Sequence, residues 1–141
     1  IGKRINITNE TIISEYVLNI DDILITMDGT VGRTTRVVND KLVLAQRVGR
    51  LTANSSSKFL YYLLNAGAFY ESMTLLASGG TIKHISLNDI ACHPIKIPKL
   101  FKEERKIGEY FHNLDKLITM HQTELEKLNN LKKACLEKMF V

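Results

Sequence analysis

The chain has 141 residues, 45% hydrophobic and 24% charged, enough for one real core and one extended appendage. No apolar run approaches the roughly 18 residues of a membrane span. The opening IGKRINITNE has neither an initiator Met nor a signal-peptide layout, so the chain is expected to begin inside a longer product, while its two distant cysteines, Cys92 and Cys135, fit a reducing cytoplasm, with no membrane partner expected. Formal net charge is +4 and locally concentrated: between Gly29 and Leu60, Arg33, Arg36, Lys41, Arg47, Arg50 and Lys58 face a single acid, Asp40, which suits a polyanionic partner.

Residues 11–18 (TIISEYVL), 22–27, 31–38 and 42–51 are rich in Ile, Val, Leu and Thr, and Asn-Ile-Asp-Asp, Asp-Gly-Thr and Asn-Asp-Lys separate them. They read as consecutive antiparallel strands joined by turns. The stretch MDGTVGR also invites a different reading, since an Asp-Gly-Thr after an apolar strand occurs in aspartyl-phosphate enzymes of the haloacid-dehalogenase type. That chemistry needs a nucleophilic Asp where this chain has Thr26. A turn is the reading kept, with Gly29 supplying backbone freedom and Asp28 capping it.

Residues 56–73 switch to helical spacing after a Ser-rich cap, with Phe59, Leu60, Leu63, Leu64, Ala68 and Phe69 on one face. Next comes Gly79-Gly80-Thr81-Ile82-Lys83-His84, where glycines would let the backbone approach a phosphate and Lys83 would neutralise it. Ser86-x-x-Asp89 has the form of a capping box opening a short helical turn. Pro94 and Pro98 bracket a last strand, Pro-Ile-Lys-Ile.

From about Lys102 to Met139 the chain has no Pro and one Gly, Gly108. Ile107, Phe111, Leu114, Ile118, His121, Leu125, Leu128, Lys132, Cys135 and Met139 recur at alternating steps of four and three, a heptad seam. Such a helix would run about 55 Å at ~1.5 Å per residue, more than a small core can cover. It calls for a partner helix, although Tyr110, Leu117 and Leu131 widen the stripe and favour packing on the domain near residue 110.

His84, His93 and Cys92 lack the further ligands a metal site requires, and Cys92 and Cys135 have no Cys-x-x-Cys spacing. Nothing resembles a nucleophile elbow. The expectation is a non-catalytic chain with no metal and no cofactor of its own.

The order DDILITMDGTVGR, LAQRVGRL, SGGTIKHISLNDIACHPIKIPKL and EERKIGEYFHNLDKLITMHQTELEKLNNLKKACLEKMF resembles the specificity subunit of type I restriction-modification enzymes over most of the chain. The most specific parts are the Gly-Gly-Thr-Ile-Lys-His-Ile-Ser-Leu-Asn-Asp-Ile stretch, the segment ending in Ile97-Pro98, and the opening of the long helix. Two departures stand out. Against the family's full pattern this sequence is expected to lack the N-terminal part of a recognition domain and the second domain with its helix, and the common Glu-Glu-Gln at the helix start reads Glu103-Glu104-Arg105.

The resemblance implies an α+β fold. A small β-rich target-recognition domain with packed helices, residues 1–100, would precede a long coiled-coil spacer helix, residues 101–141. It implies double-stranded DNA as ligand and methyltransferase and restriction subunits as partners, those subunits using S-adenosylmethionine, ATP and Mg²⁺. Arg33, Arg36, Arg47, Arg50, Lys83 and His84 are the expected DNA contacts. Ile107, Phe111, Leu114, Ile118, His121, Leu125, Leu128 and Met139 are the expected pairing seam of an antiparallel homodimer. The competing expectation is a coiled-coil dimerisation scaffold that binds no DNA.

Overall fold

The structure, a computed structural model, describes residues 15–77 and 83–140. The chain divides into two compact units, Ile1–Gly108 and Glu109–Val141. Its secondary structure is α+β, as the sequence implies.

In the first unit, strands β1 (Ile23–Thr26), β2 (Thr34–Arg36) and β3 (Val48–Leu51) form an antiparallel sheet in the order β2-β1-β3. β1 is central because alternation gives it one fully apolar face: Ile23 and Ile25 are completely buried, whereas Leu24 and Thr26 are not. Its register sets Leu24 between Thr35 and Arg50, and Ile25 between Thr34 and Gly49.

Helices α1 (Ser57–Asn65), α2 (Gly67–Leu76) and α3 (Leu87–Ala91) complete the core, in which Ile23, Ile25 and Val31 join Leu64, Phe69, Met73, Ala77, Ile85 and Ile90. Ser56 caps α1 by accepting from the Phe59 N–H. The capping box at α3 is formed in full: Ser86 accepts from the Asp89 N–H at 3.1 Å, and Asp89 accepts from the Ser86 N–H at 2.8 Å. The Ser86 hydroxyl and backbone bonds hold the Asp89 carboxyl below its ordinary value of 3.8.

Helix α4 (Phe101–Met139) runs unbroken for 39 residues, about 58 Å at ~1.5 Å each. Its first turns seat on the start of α1, where buried Glu104 accepts a hydrogen bond from the Ser55 hydroxyl and Gly108 lies against the backbone of Lys58 and Phe59.

Several elements differ from the sequence reading. Of the expected strand at 11–18, residues 11–14 lie outside the described residues. Glu15 and Tyr16 are helical, and Val17 makes a single bridge to Val43. Residues 42–51 do not form one strand, because Arg47 takes a left-handed backbone (φ 66°) that ends the extended run before β3. Residues 56–73 form two helices, since Ala66 turns extended (φ −63°, ψ 136°) just before Gly67. Ala68, expected in the core, is exposed. Residues 94–97 form no strand: the prolines bracketing them offer no N–H to a ladder, and Ile95 and Ile97 are both exposed.

Candidate nucleic-acid interface

Residues directly opposite on antiparallel strands share a face, so the register sorts the basic residues. Opposite the core, one row is Thr35, Leu24 and Arg50, and the next is Arg33, Thr26 and Val48, with the Thr26 N–H donating to the Arg33 carbonyl at 2.9 Å. Leu24, Thr26, Thr34, Thr35 and Val48 line a shallow hollow of about 210 Å³, with Arg33 on its wall. Arg36 falls on the opposite parity, level with Ile23 and Leu51. The expected arginine set is therefore divided between faces.

Each arginine is also held differently. The Arg33 guanidinium lies over the Tyr70 ring at 4.5 Å, a cation–π contact that orients it while leaving its charge uncompensated. Arg50 donates from Nη1 to the Val17 carbonyl at 3.1 Å, again with no carboxylate involved. Arg36 pairs with Asp21 at 3.5 Å, and Arg47 pairs through Nε with Asp28 at 3.1 Å. His84 bonds the other oxygen of Asp28 through Nδ1.

Asp28 is thus not the cap of its turn. The capping work falls to Thr26, whose hydroxyl accepts from the Arg33 N–H at 3.1 Å and donates to the Thr30 carbonyl, while Gly29 (φ 70°) and Gly32 (φ 80°) supply the left-handed backbone. A carboxylate whose partners lie 19 and 56 residues along the chain leaves no local mark in the sequence. The same holds for Tyr70 under Arg33 and Asp21 beside Arg36, which sequence reasoning also missed.

The Lys83–Ile85 segment runs beside the end of β1. The Gly29 N–H donates to the Lys83 carbonyl at 3.1 Å, and the Ile85 N–H to the Met27 carbonyl at 2.9 Å. Lys83 is exposed. Gly79 and Gly80, expected to lend it a flexible loop, lie outside the described residues. Among the described residues, no three His, Cys, Asp or Glu side chains gather as metal ligands would, and no helix is long and apolar enough to cross a membrane.

In the helix, Phe111, Leu114, Ile118, Leu125, Leu128 and Met139 are exposed, and Ile107 is half-buried. His121, also exposed, pairs with Glu124 at 3.2 Å one turn on. An exposed apolar stripe of this length on a continuous helix is a surface built to be covered.

The first unit is thus a small sheet with basic residues on its open face, and the chain ends in a long helix with an exposed apolar stripe. The chain belongs to the type I restriction modification DNA specificity domain family, whose pattern matches residues 4–130. It is similar to a Mycoplasma pneumoniae protein named as a type I specificity subunit, with 39% identity over 72 residues, which are 51% of this chain and 18% of that relative. The chain spans well under two thirds of that relative's length.

Proposed function

We propose that this chain is the DNA-reading part of a type I restriction-modification assembly, recognising one half of a bipartite site through residues 1–100 and pairing through the helix in residues 101–141. It performs no chemistry itself; methylation and cleavage belong to the modification and restriction subunits that dock on the assembled specificity subunit. The observation carrying this reading is the family match over residues 4–130, which spans both the sheet and most of the helix.

The physical arrangement supports it. Arg33, Arg50 and Lys83 carry charge that no carboxylate among the described residues offsets, and such charges gain from phosphates by releasing condensed counterions. Arg36 contributes less, because Asp21 already stands beside it.

Retention of the chain on duplex DNA as salt rises provides the test. Affinity should fall linearly on a log–log plot, and alanine at Arg33, Arg50 or Lys83 should flatten the slope by about one unit per site. Retention that is absent at low salt would favour the scaffold reading instead.

A further inference from the structure

Asp28 joins three segments remote in sequence. Backbone bonds fix them first: the Met27 N–H donates to the Arg47 carbonyl at 3.0 Å, and Met27 and Gly29 bond the Lys83–Ile85 segment on the other side. Between these ties the Asp28 side chain is 18% exposed, and its two oxygens are divided between Arg47 Nε and His84 Nδ1. The Arg47 and His84 side chains are themselves 70% and 58% exposed. Asp28 therefore holds two outward-facing side chains side by side, each by its inner nitrogen.

We infer that Arg47 and His84, positioned by Asp28, read the major-groove edge of a G·C base pair rather than the phosphate backbone. This rests on the DNA-binding reading above and divides the basic residues by role. Phosphate contacts profit from uncompensated charge, but the charge of Arg47 is offset by Asp28, so counterion release gains little from it. What the pair does provide is fixed geometry. With Nε on Asp28, the Arg47 fork still presents its Nη donors. With Nδ1 held on the carboxylate, the His84 ring turns its Nε2 edge outward beside that fork.

The two Nη donors of that fork complement guanine N7 and O6, and the His84 ring stands where it meets the same base pair. Arg47 sits at φ 66°, a left-handed backbone it shares with Asp21 and Lys41 and one that glycine adopts freely.

The inference separates specificity from salt dependence, and two variants test it. Arg47→Gly suits the left-handed backbone, so its melting temperature should stay within about 3 °C of the parent. Its salt slope on a non-specific duplex should be unchanged. In selection from a randomised duplex library it should lose the preference for G·C at one position by about tenfold or more. Asp28→Asn frees the charge of Arg47 and loosens its orientation, so the non-specific slope should steepen by up to about one unit while the same preference weakens.

A flattened slope with intact sequence preference in Arg47→Gly would make Arg47 a phosphate contact and overturn the inference. So would a lost preference at a position other than G·C, or an Asp28→Asn variant matching the parent in both measurements. A parent that shows no salt-dependent duplex binding would overturn the functional reading and this one with it. A parent that binds while the variants match it overturns this one alone.

Discussion

Gly29 and Gly32 share a left-handed backbone three residues apart, yet their surroundings make them unequal. A Cβ on Gly29 would meet nothing within 4 Å, whereas one on Gly32 would stand 3.1 Å from Met73 Cβ, a fully buried side chain fixed in the core. Gly29→Ala should therefore cost only the backbone conformation, about 1 kcal/mol. Gly32→Ala adds a collision with a neighbour that cannot retreat, and about 2–3 kcal/mol is expected. Urea unfolding of both variants measures the difference; equal losses would mean that Met73 yields freely. Gly49 differs in backbone, which is not left-handed, but a Cβ there would come within 3.0 Å of Cγ2 of the fully buried Ile25, whereas the exposed Leu87, 2.7 Å away at Cδ2, can swing aside. At this scale the sheet face toward α3 is shaped by what the side chains leave empty.

At the scale of elements, the decisive contact is the seat of α4 on α1. A Cβ on Gly108 would fall 2.6 Å from the Phe59 backbone nitrogen and 3.1 Å from the Lys58 carbonyl carbon, and backbone within a helix gives far less than a side chain. Gly108→Ala should destabilise the first unit by about 2–3 kcal/mol. It should do so without reducing the helicity of α4 itself, because Ala is the better helix former. Thermal melting combined with far-ultraviolet circular dichroism checks both halves of that statement. Glu104, one turn earlier, is 5% exposed and bonded to Ser55, so the same seat is tied by a buried carboxylate. The two features together give a reason for the lone glycine of this long helix.

At the scale of the whole molecule, the apolar stripe from Phe111 to Met139 is exposed over most of its length. A second copy is the occupant proposed, paired antiparallel so that the midpoint of the seam, near residue 123, lies on the two-fold axis. Leu125→Lys, near that midpoint, should dissociate the pair, read as a halving of mass in sedimentation. Cysteines placed at Leu114 and Lys132 should cross-link between chains, whereas efficient Leu114 to Leu114 cross-linking would mean a parallel pair.

The sequence by itself determined whatever depends on neighbours along the chain. The caps at Ser56 and Ser86, the strand at residues 22–27, and the continuity of the long helix were all legible, because each arises from residues within a turn or a strand of one another. The break at Ala66 was obscured because apolar spacing continues across it, and the missing strand at 94–97 because β-branched composition imitates one. Only tertiary structure decided how the candidate residues are grouped. Whether Arg33, Arg36, Arg47 and Arg50 stand together depends on strand register and on acids supplied from elsewhere, and a one-residue register shift would exchange their faces. Charge composition is compatible with a polyanionic partner, but which of these arginines face a carboxylate is decided by Asp21 and Asp28, which reach them only when the sheet has formed.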